Sequence, residues 1–244
     1  EETFLNNLKY KINQYKNKIK ALVINFPNNP TTQVVNKNFY EELVNICKLN
    51  HIWILSDLAY AEIYFDIDPP PSILQIKNAR DIAVEFTSMS KTYNMPGWRI
   101  GFACGNKTLI SALSRIKSYL DYGAFTPIQV AAAAALNGPQ AIIDEIRDIY
   151  KKRRNVLIES MSRSGWIIPK PEATMFAWAP IPDKYVNKGS IYYTKLLLKK
   201  AELAVSPGIG FGKYGDKFVR ISLVENEQRI RQAARNIKNN LNLG

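Results

Sequence analysis

Short apolar runs alternating with helical periodicity constrain this chain more than any other feature. Residues 21–26 form one such run, residues 39–49 carry a helical pattern, and residues 52–55 return as a second apolar run. A third run spans 82–87, after the Pro69-Pro70-Pro71 loop, and a fourth spans 98–103. Strands that are apolar throughout, rather than at every second position, are buried on both faces. That is the condition of a mainly parallel sheet covered by helices, so the pattern predicts an α/β layer. Ahead of it, Leu5, Leu8, Ile12, Tyr15 and Ile19 recur at spacings of three and four and predict an amphipathic helix over residues 3–19.

Past Pro139 the pattern changes. Ile142, Ile146, Ile149, Val156 and Leu157 form one long helical stripe that runs toward Gly165, a C-cap residue. Strand signals follow at 174–179, 201–205 and 217–223, with helices around 190–200 and 226–240, the makeup of a smaller α+β domain. We therefore divide the chain into residues 1–140 and 141–244. No apolar run reaches the roughly 18 residues of a membrane span, and the chain opens Glu1-Glu2-Thr3 rather than with a targeting segment. This predicts a cytoplasmic protein with no membrane partner. The net charge of +12 raises nucleic acid as a ligand. Its cations are dispersed over helical stretches, as at Lys195, Lys199 and Lys200, without a basic-aromatic stripe, so no nucleic-acid partner is expected. Cys47 and Cys104 have no metal-ligand spacing and His51 is the single histidine, so no metal site is expected.

Three strand ends carry chemistry. The segment Ser88-Met89-Ser90-Lys91-Thr92-Tyr93-Asn94-Met95-Pro96-Gly97-Trp98-Arg99 follows the third strand, where open α/β sheets present ligand loops. Its hydroxyls and arginine suit a phosphate, and its lysine amine suits reaction with an aldehyde. An ordinary polar turn is the competing reading. Asp57 closes the second strand and Tyr60 follows it; a carboxylate there pairs with a ring nitrogen or, alternatively, caps a helix. Asn29 sits in a turn after the first strand.

Taken in order, Asn28-Asn29-Pro30-Thr31, Ser56-Asp57-Leu58-Ala59-Tyr60, Ser88–Arg99 and Val219-Arg220-Ile221 resemble the signatures of the class I/II aminotransferases, pyridoxal 5'-phosphate (PLP) enzymes of fold type I. The segments SKTYNMPGWRIGFACGN and VSPGIGFGKYGDKFVR are most similar to the bacterial glutamate-pyruvate (alanine) members, with LL-diaminopimelate and aspartate aminotransferases more distant. The resemblance implies an incomplete large PLP-binding domain joined to the small C-terminal domain. It also implies a homodimer acting on an amino acid and a 2-oxo acid by a ping-pong Schiff-base mechanism. Lys91 corresponds to the lysine that holds the cofactor and moves the proton. Asp57 corresponds to the partner of the pyridine nitrogen, and Tyr60 and Asn29 to the partners of the ring oxygen. Ser88, Ser90 and Arg99 correspond to the phosphate ligands. Arg220 corresponds to the arginine that grips the substrate α-carboxylate, with Asn29 beside it. A PLP lyase on the same fold and a shortened non-catalytic relative are the other readings.

Two departures stand out. Thr32 occupies a position usually held by glycine, and on the order of 150 residues of a typical member have no counterpart here, which implies an exposed sheet edge. The Gly-rich stretch 207–212 precedes a strand rather than the helix that a dinucleotide loop requires, and it reads as a mobile loop beside Arg220.

Overall fold

The computed structural model describes residues 1–16 and 18–241. By packing, the chain divides into two compact units. One takes in Glu1–Pro27, Val34–Glu62 and Asp68–Asp144; the other takes in Asn28–Gln33, Ile63–Ile67 and Glu145–Gly244.

The first unit is built on a four-stranded sheet with strands β1 (Ala21–Asn25), β2 (Trp53–Asp57), β3 (Ala83–Ser88) and β4 (Gly101–Gly105) in that spatial order. β1, β2 and β3 are parallel, with Asn25 opposite Asp57 and Asp57 opposite Phe86. The expected fourth strand forms later in the chain than its apolar run indicated, and it runs antiparallel to β3. Pro96–Trp98 is a 3₁₀ turn instead, and Arg99 lies in the left-handed region at φ 51°, so the chain reverses before it can pair.

Helix α1 (Glu2–Tyr15) buries Leu5 and Leu8. It ends before the stretch expected from periodicity. Helix α2 (Lys37–Leu49) makes the crossover between β1 and β2. Its N-terminus is capped by Asn36, whose Oδ1 accepts from Phe39 N–H at 2.9 Å. Its inner face buries Phe39, Tyr40, Leu43, Val44, Ile46 and Cys47 against Ile24, Ile52, Ile54 and Ala83. Beyond β3 come the single turn α3 (Met89–Thr92), α4 (Lys107–Leu120) and α5 (Thr126–Asn137). α4 buries no side chain and α5 buries only Ala132, which leaves Tyr119, Leu120, Tyr122, Phe125 and Val130 exposed.

The second unit is an α+β layer. Helix α6 (Ala141–Arg163) enters it, followed by β5 (Phe176–Pro180), α7 (Asp183–Val186), α8 (Gly189–Ala201), β6 (Ser206–Pro207), β7 (Phe218–Ser222) and α9 (Glu227–Asn240). The strand order is β5-β7-β6, all antiparallel. The strand expected at 201–205 is displaced to the two residues of β6, because Ala201 still belongs to α8 and Glu202 turns the chain at φ 54°. Trp166, Leu157, Met161, Tyr193, Leu197, Ile221 and Ile237 form its core.

Ile63–Ile67 joins this unit as a strap. Tyr64 bridges Ala173, Phe65 N–H donates to Glu172 O at 2.7 Å, and Thr174 N–H donates to Ile63 O at 2.8 Å. Asp66 then meets three cations of the same unit: Arg154 at 2.6 Å, Lys151 at 2.7 Å and Lys170 at 3.2 Å. Arg154 is buried, and its guanidinium also donates to Pro171 O and lies 4.7 Å from the Phe65 ring centroid.

The hydrogen bonds from Lys151, Arg154 and Lys170 hold the Asp66 carboxyl well below the usual carboxylate range. A depressed folded value means that the stabilisation is present above the ordinary value of 3.8 and is lost as pH falls toward the folded one. Asp66→Asn is therefore expected to flatten the acid limb of a plot of melting temperature against pH below about pH 4. Parallel curves for the two proteins would remove this role from Asp66.

Candidate active site

In the first unit, β2 and β3 deliver the expected residues to one place, the carboxyl edge of the parallel strands. Asp57 is the last residue of β2, exposed, and its Oδ1 accepts from Ala59 N–H at 3.0 Å. Asn25 Nδ2 donates to Asp57 O at 3.0 Å and ties the end of β1 to it. Leu58 N–H continues the ladder to Phe86 O, which sends the chain into the turn that buries Tyr60.

Ser88 ends β3, and its Oγ caps α3 by accepting from Ser90 N–H at 3.2 Å. Ser90 is buried, while Lys91 is half-buried with its Nζ 6.0 Å from the centroid of the Tyr60 ring. Arg99 is exposed and donates through Nη1 to Pro96 O at 3.0 Å. Tyr93 was not expected to contribute. Its hydroxyl donates to Gln140 Oε1 at 2.7 Å, and Gln140 Nε2 donates to Gly138 O at 2.6 Å, so the turn after Lys91 is moored to the end of α5.

The second unit brings Asn29 and Arg220 together. Arg220 lies on β7, opposite Trp178 of β5 and Ser206 of β6. Its Nη1 donates to Asn29 Oδ1 at 2.7 Å and its Nη2 to Ser206 Oγ at 3.2 Å. The Phe176 ring centroid lies 4.2 Å from Cζ and that of Phe211 4.8 Å. Two aromatic rings beside a planar cation favour its charge and fix its plane, while the N–H edge keeps the fork geometry that suits a carboxylate. Ser206, Phe176 and Phe211 were missed by the reading of motifs. The Gly-rich stretch 207–212, read as a mobile loop beside Arg220, was the one signal near Ser206 and Phe211; it holds the 3₁₀ turn Gly208–Phe211, and a second, Lys213–Lys217, follows it.

Among the described residues no group of three His, Cys, Asp or Glu could hold a metal ion, and no helix is long and apolar enough to cross a membrane. His51 is exposed in the turn before β2.

Solved structures superpose on the chain as fold type I proteins. Apo-BacF from Bacillus subtilis matches 93% of this chain and 58% of its own with a TM-score of 0.89 and 35% identity. A family model described as aminotransferase class I and II matches residues 1–237, and the chain belongs to that family. The putative aminotransferase AatC of Rhizobium meliloti is 58% identical over 98% of this chain and 59% of its own length. Glutamate-pyruvate aminotransferase AlaC of Escherichia coli is 52% identical over 96% and 57%, and an LL-diaminopimelate aminotransferase of Natranaerobius thermophilus 43% identical over 89% and 56%. The chain thus spans under three-fifths of the length of these curated relatives.

PLP is the cofactor of this family, and the donor set of the first unit fits it. The group carries a protonatable ring nitrogen, a phenolic oxygen, an aldehyde and a phosphate. The carboxyl edge offers a carboxylate at Asp57, a phenol at Tyr60, an amine at Lys91, and the hydroxyls of Ser88 and Ser90 with the Arg99 guanidinium, one complement for each. Among the described residues neither Asp57 nor Lys91 is engaged in an ion pair.

Proposed function

We propose that this chain is part of a PLP-dependent aminotransferase that moves an amino group between an L-amino acid and a 2-oxo acid, with alanine and glutamate as the preferred donors. The observation that carries the reading is the convergence of Lys91, Tyr60 and Asp57 on one sheet edge, in a chain 52% identical to a glutamate-pyruvate aminotransferase.

When bound, PLP supplies an aldehyde and an electron-withdrawing ring that lowers the cost of negative charge at the substrate Cα. Lys91 Nζ would hold this aldehyde and would serve as the base that takes and returns the Cα proton. The Asp57 carboxylate keeps the ring nitrogen protonated by pairing with it. Tyr60, buried beside Lys91, would hold the ring oxygen, a role that the family motif also suggests for Asn29. Ser88, Ser90 and Arg99 bind the phosphate. Arg220 takes the α-carboxylate that the amino acid and the 2-oxo acid both carry, so one residue orients both halves of a ping-pong exchange.

The decisive assay is amino transfer from alanine to 2-oxoglutarate and from glutamate to pyruvate. Absence of turnover with both pairs would overturn the assignment. Faster turnover with LL-diaminopimelate would favour the second reading that the 43% identical relative supports. Elimination products without transfer would favour a lyase, and no reaction with any of these substrates would favour a non-catalytic relative.

Arg220→Lys is expected to raise KM for the amino donor and for the 2-oxo acid alike. A lysine ammonium cannot replace the planar fork, and loss of one charge-assisted bond costs about 1.5–3 kcal/mol, or roughly 10- to 150-fold. Unchanged KM values for both substrates would remove Arg220 from carboxylate binding. We further propose a cytoplasmic homodimer. The exposed apolar side chains of α4 and α5 support the association, and light scattering of the purified protein tests it.

A further inference from the structure

We infer that Ser190 and Asp216, neither of which touches Arg220, are a positioning pair that sets Phe211 over the carboxylate-binding guanidinium. The inference rests on the role proposed for Arg220 and concerns residues of the second unit alone.

Ser190 lies in the first turn of α8 and is completely buried. Asp216 Oδ1 accepts twice from it, from the backbone N–H at 2.9 Å and from Oγ at 2.8 Å. The serine Oγ in turn accepts from Ile209 N–H at 3.1 Å. One hydroxyl therefore links α8, the turn Lys213–Lys217 and the turn Gly208–Phe211. It donates to a carboxylate and accepts from an amide, and neither alanine nor valine can reproduce that pairing.

The two turns also meet backbone to backbone. A Cβ on Gly208 would fall 2.0 Å from Gly215 O, and one on Gly215 would fall 2.1 Å from Gly208 O, so only glycine permits the approach. Phe211 closes the first of these turns. Its ring stands edge-on to Trp178 at 5.9 Å and lies 4.8 Å from Arg220 Cζ. Phe211 is 41% exposed, so burial alone does not fix its place. Its position over Arg220 follows from the turn, and the turn is fastened at Ile209 by Ser190.

The chemistry that this pair serves is recognition of an α-carboxylate. A ring over the guanidinium displaces water from one face and turns the cation's N–H edge toward an in-plane acceptor, which strengthens a carboxylate contact without touching the reacting atoms. Loss of the pair should therefore act on KM rather than on kcat.

A double-mutant cycle on the protein tests this, with Ser190→Ala, Phe211→Ala and the double variant compared by steady-state kinetics and by calorimetric titration with 2-oxoglutarate. Ser190→Ala is expected to weaken 2-oxoglutarate binding and raise its KM by about 5- to 20-fold, with kcat within about twofold. The double variant is expected to be no worse than Phe211→Ala alone. Ser190→Thr, which keeps the hydroxyl, is expected to recover most of the loss. Additive effects, or a fall in kcat with KM unchanged, would overturn the inference.

A structural readout stands beside the kinetics. The indole N–H resonance of Trp178, assigned with Trp178→Phe, should move in Ser190→Ala toward its position in Phe211→Ala. An unmoved resonance in a folded Ser190→Ala protein overturns the positioning role even if no 2-oxo acid binds at all. Failure of binding in the unaltered protein would instead count against the function proposed for Arg220. Should Ser190→Ala not fold, Asp216→Ala, which removes the oxygen that accepts both Ser190 hydrogen bonds, serves the same two measurements.

Discussion

On the role proposed for it, Lys91→Ala is expected to lower amino transfer by on the order of 10³-fold or more, because proton transfer at the substrate Cα would lose its base and the aldehyde its amine. Lys91→Arg should be as inactive. It keeps a cation at the position but cannot be deprotonated at any working pH, so the pair of variants separates the need for charge from the need for a neutral amine. The fold should survive both changes, since Lys91 is half-buried on a single helical turn and no carboxylate among the described residues pairs with it. Single-turnover measurements, read with the melting temperature of each variant, check the expectation. Residual activity within tenfold of the parent protein would place the reactive amine elsewhere.

The second large effect is on stability. Trp166 is 1% exposed at the centre of the second unit, edge-on to Tyr193 at 5.4 Å, with Nε1 donating to Pro180 O at 2.8 Å. Trp166→Ala removes the largest buried side chain of that core and is expected to cost about 3–5 kcal/mol. That is a large share of the roughly 5–15 kcal/mol by which proteins are stable. Trp166→Phe keeps most of the apolar surface and leaves Pro180 O without its donor, for about 1–3 kcal/mol. Urea unfolding followed by near-ultraviolet circular dichroism measures both, and a cost below about 1 kcal/mol for the alanine variant would show that the core closes over the space.

The placement of Asp57 and Lys91 at one sheet edge was legible because an apolar run that stops at a carboxylate or a Ser-Lys pair marks a strand end, and parallel strands present such ends together. Arg220 was legible as a charge inside an otherwise apolar strand. The direction of β4 was not: an apolar run has the same period whether its neighbour runs with it or against it, so the one antiparallel strand of the mainly parallel sheet carried no signal. The surroundings of Arg220 were hidden for another reason. Asn29 is 191 residues away in sequence, and the rings of Phe176 and Phe211 meet the guanidinium only through the β5–β7 pairing and a glycine-built turn. Asp66 and Arg154, 88 residues apart, likewise carry no local pattern that announces a pair.

The second unit is not a contiguous stretch of chain, since it draws Asn28–Gln33 and Ile63–Ile67 from among the elements of the first. A genetic crossover at residue 144 would part Arg220 from Asn29 and buried Arg154 from Asp66 in one step. A hybrid gene joined there would take the two halves of each pair from different parents, so the second unit is inherited whole only when Asn28–Gln33 and Ile63–Ile67 come with it.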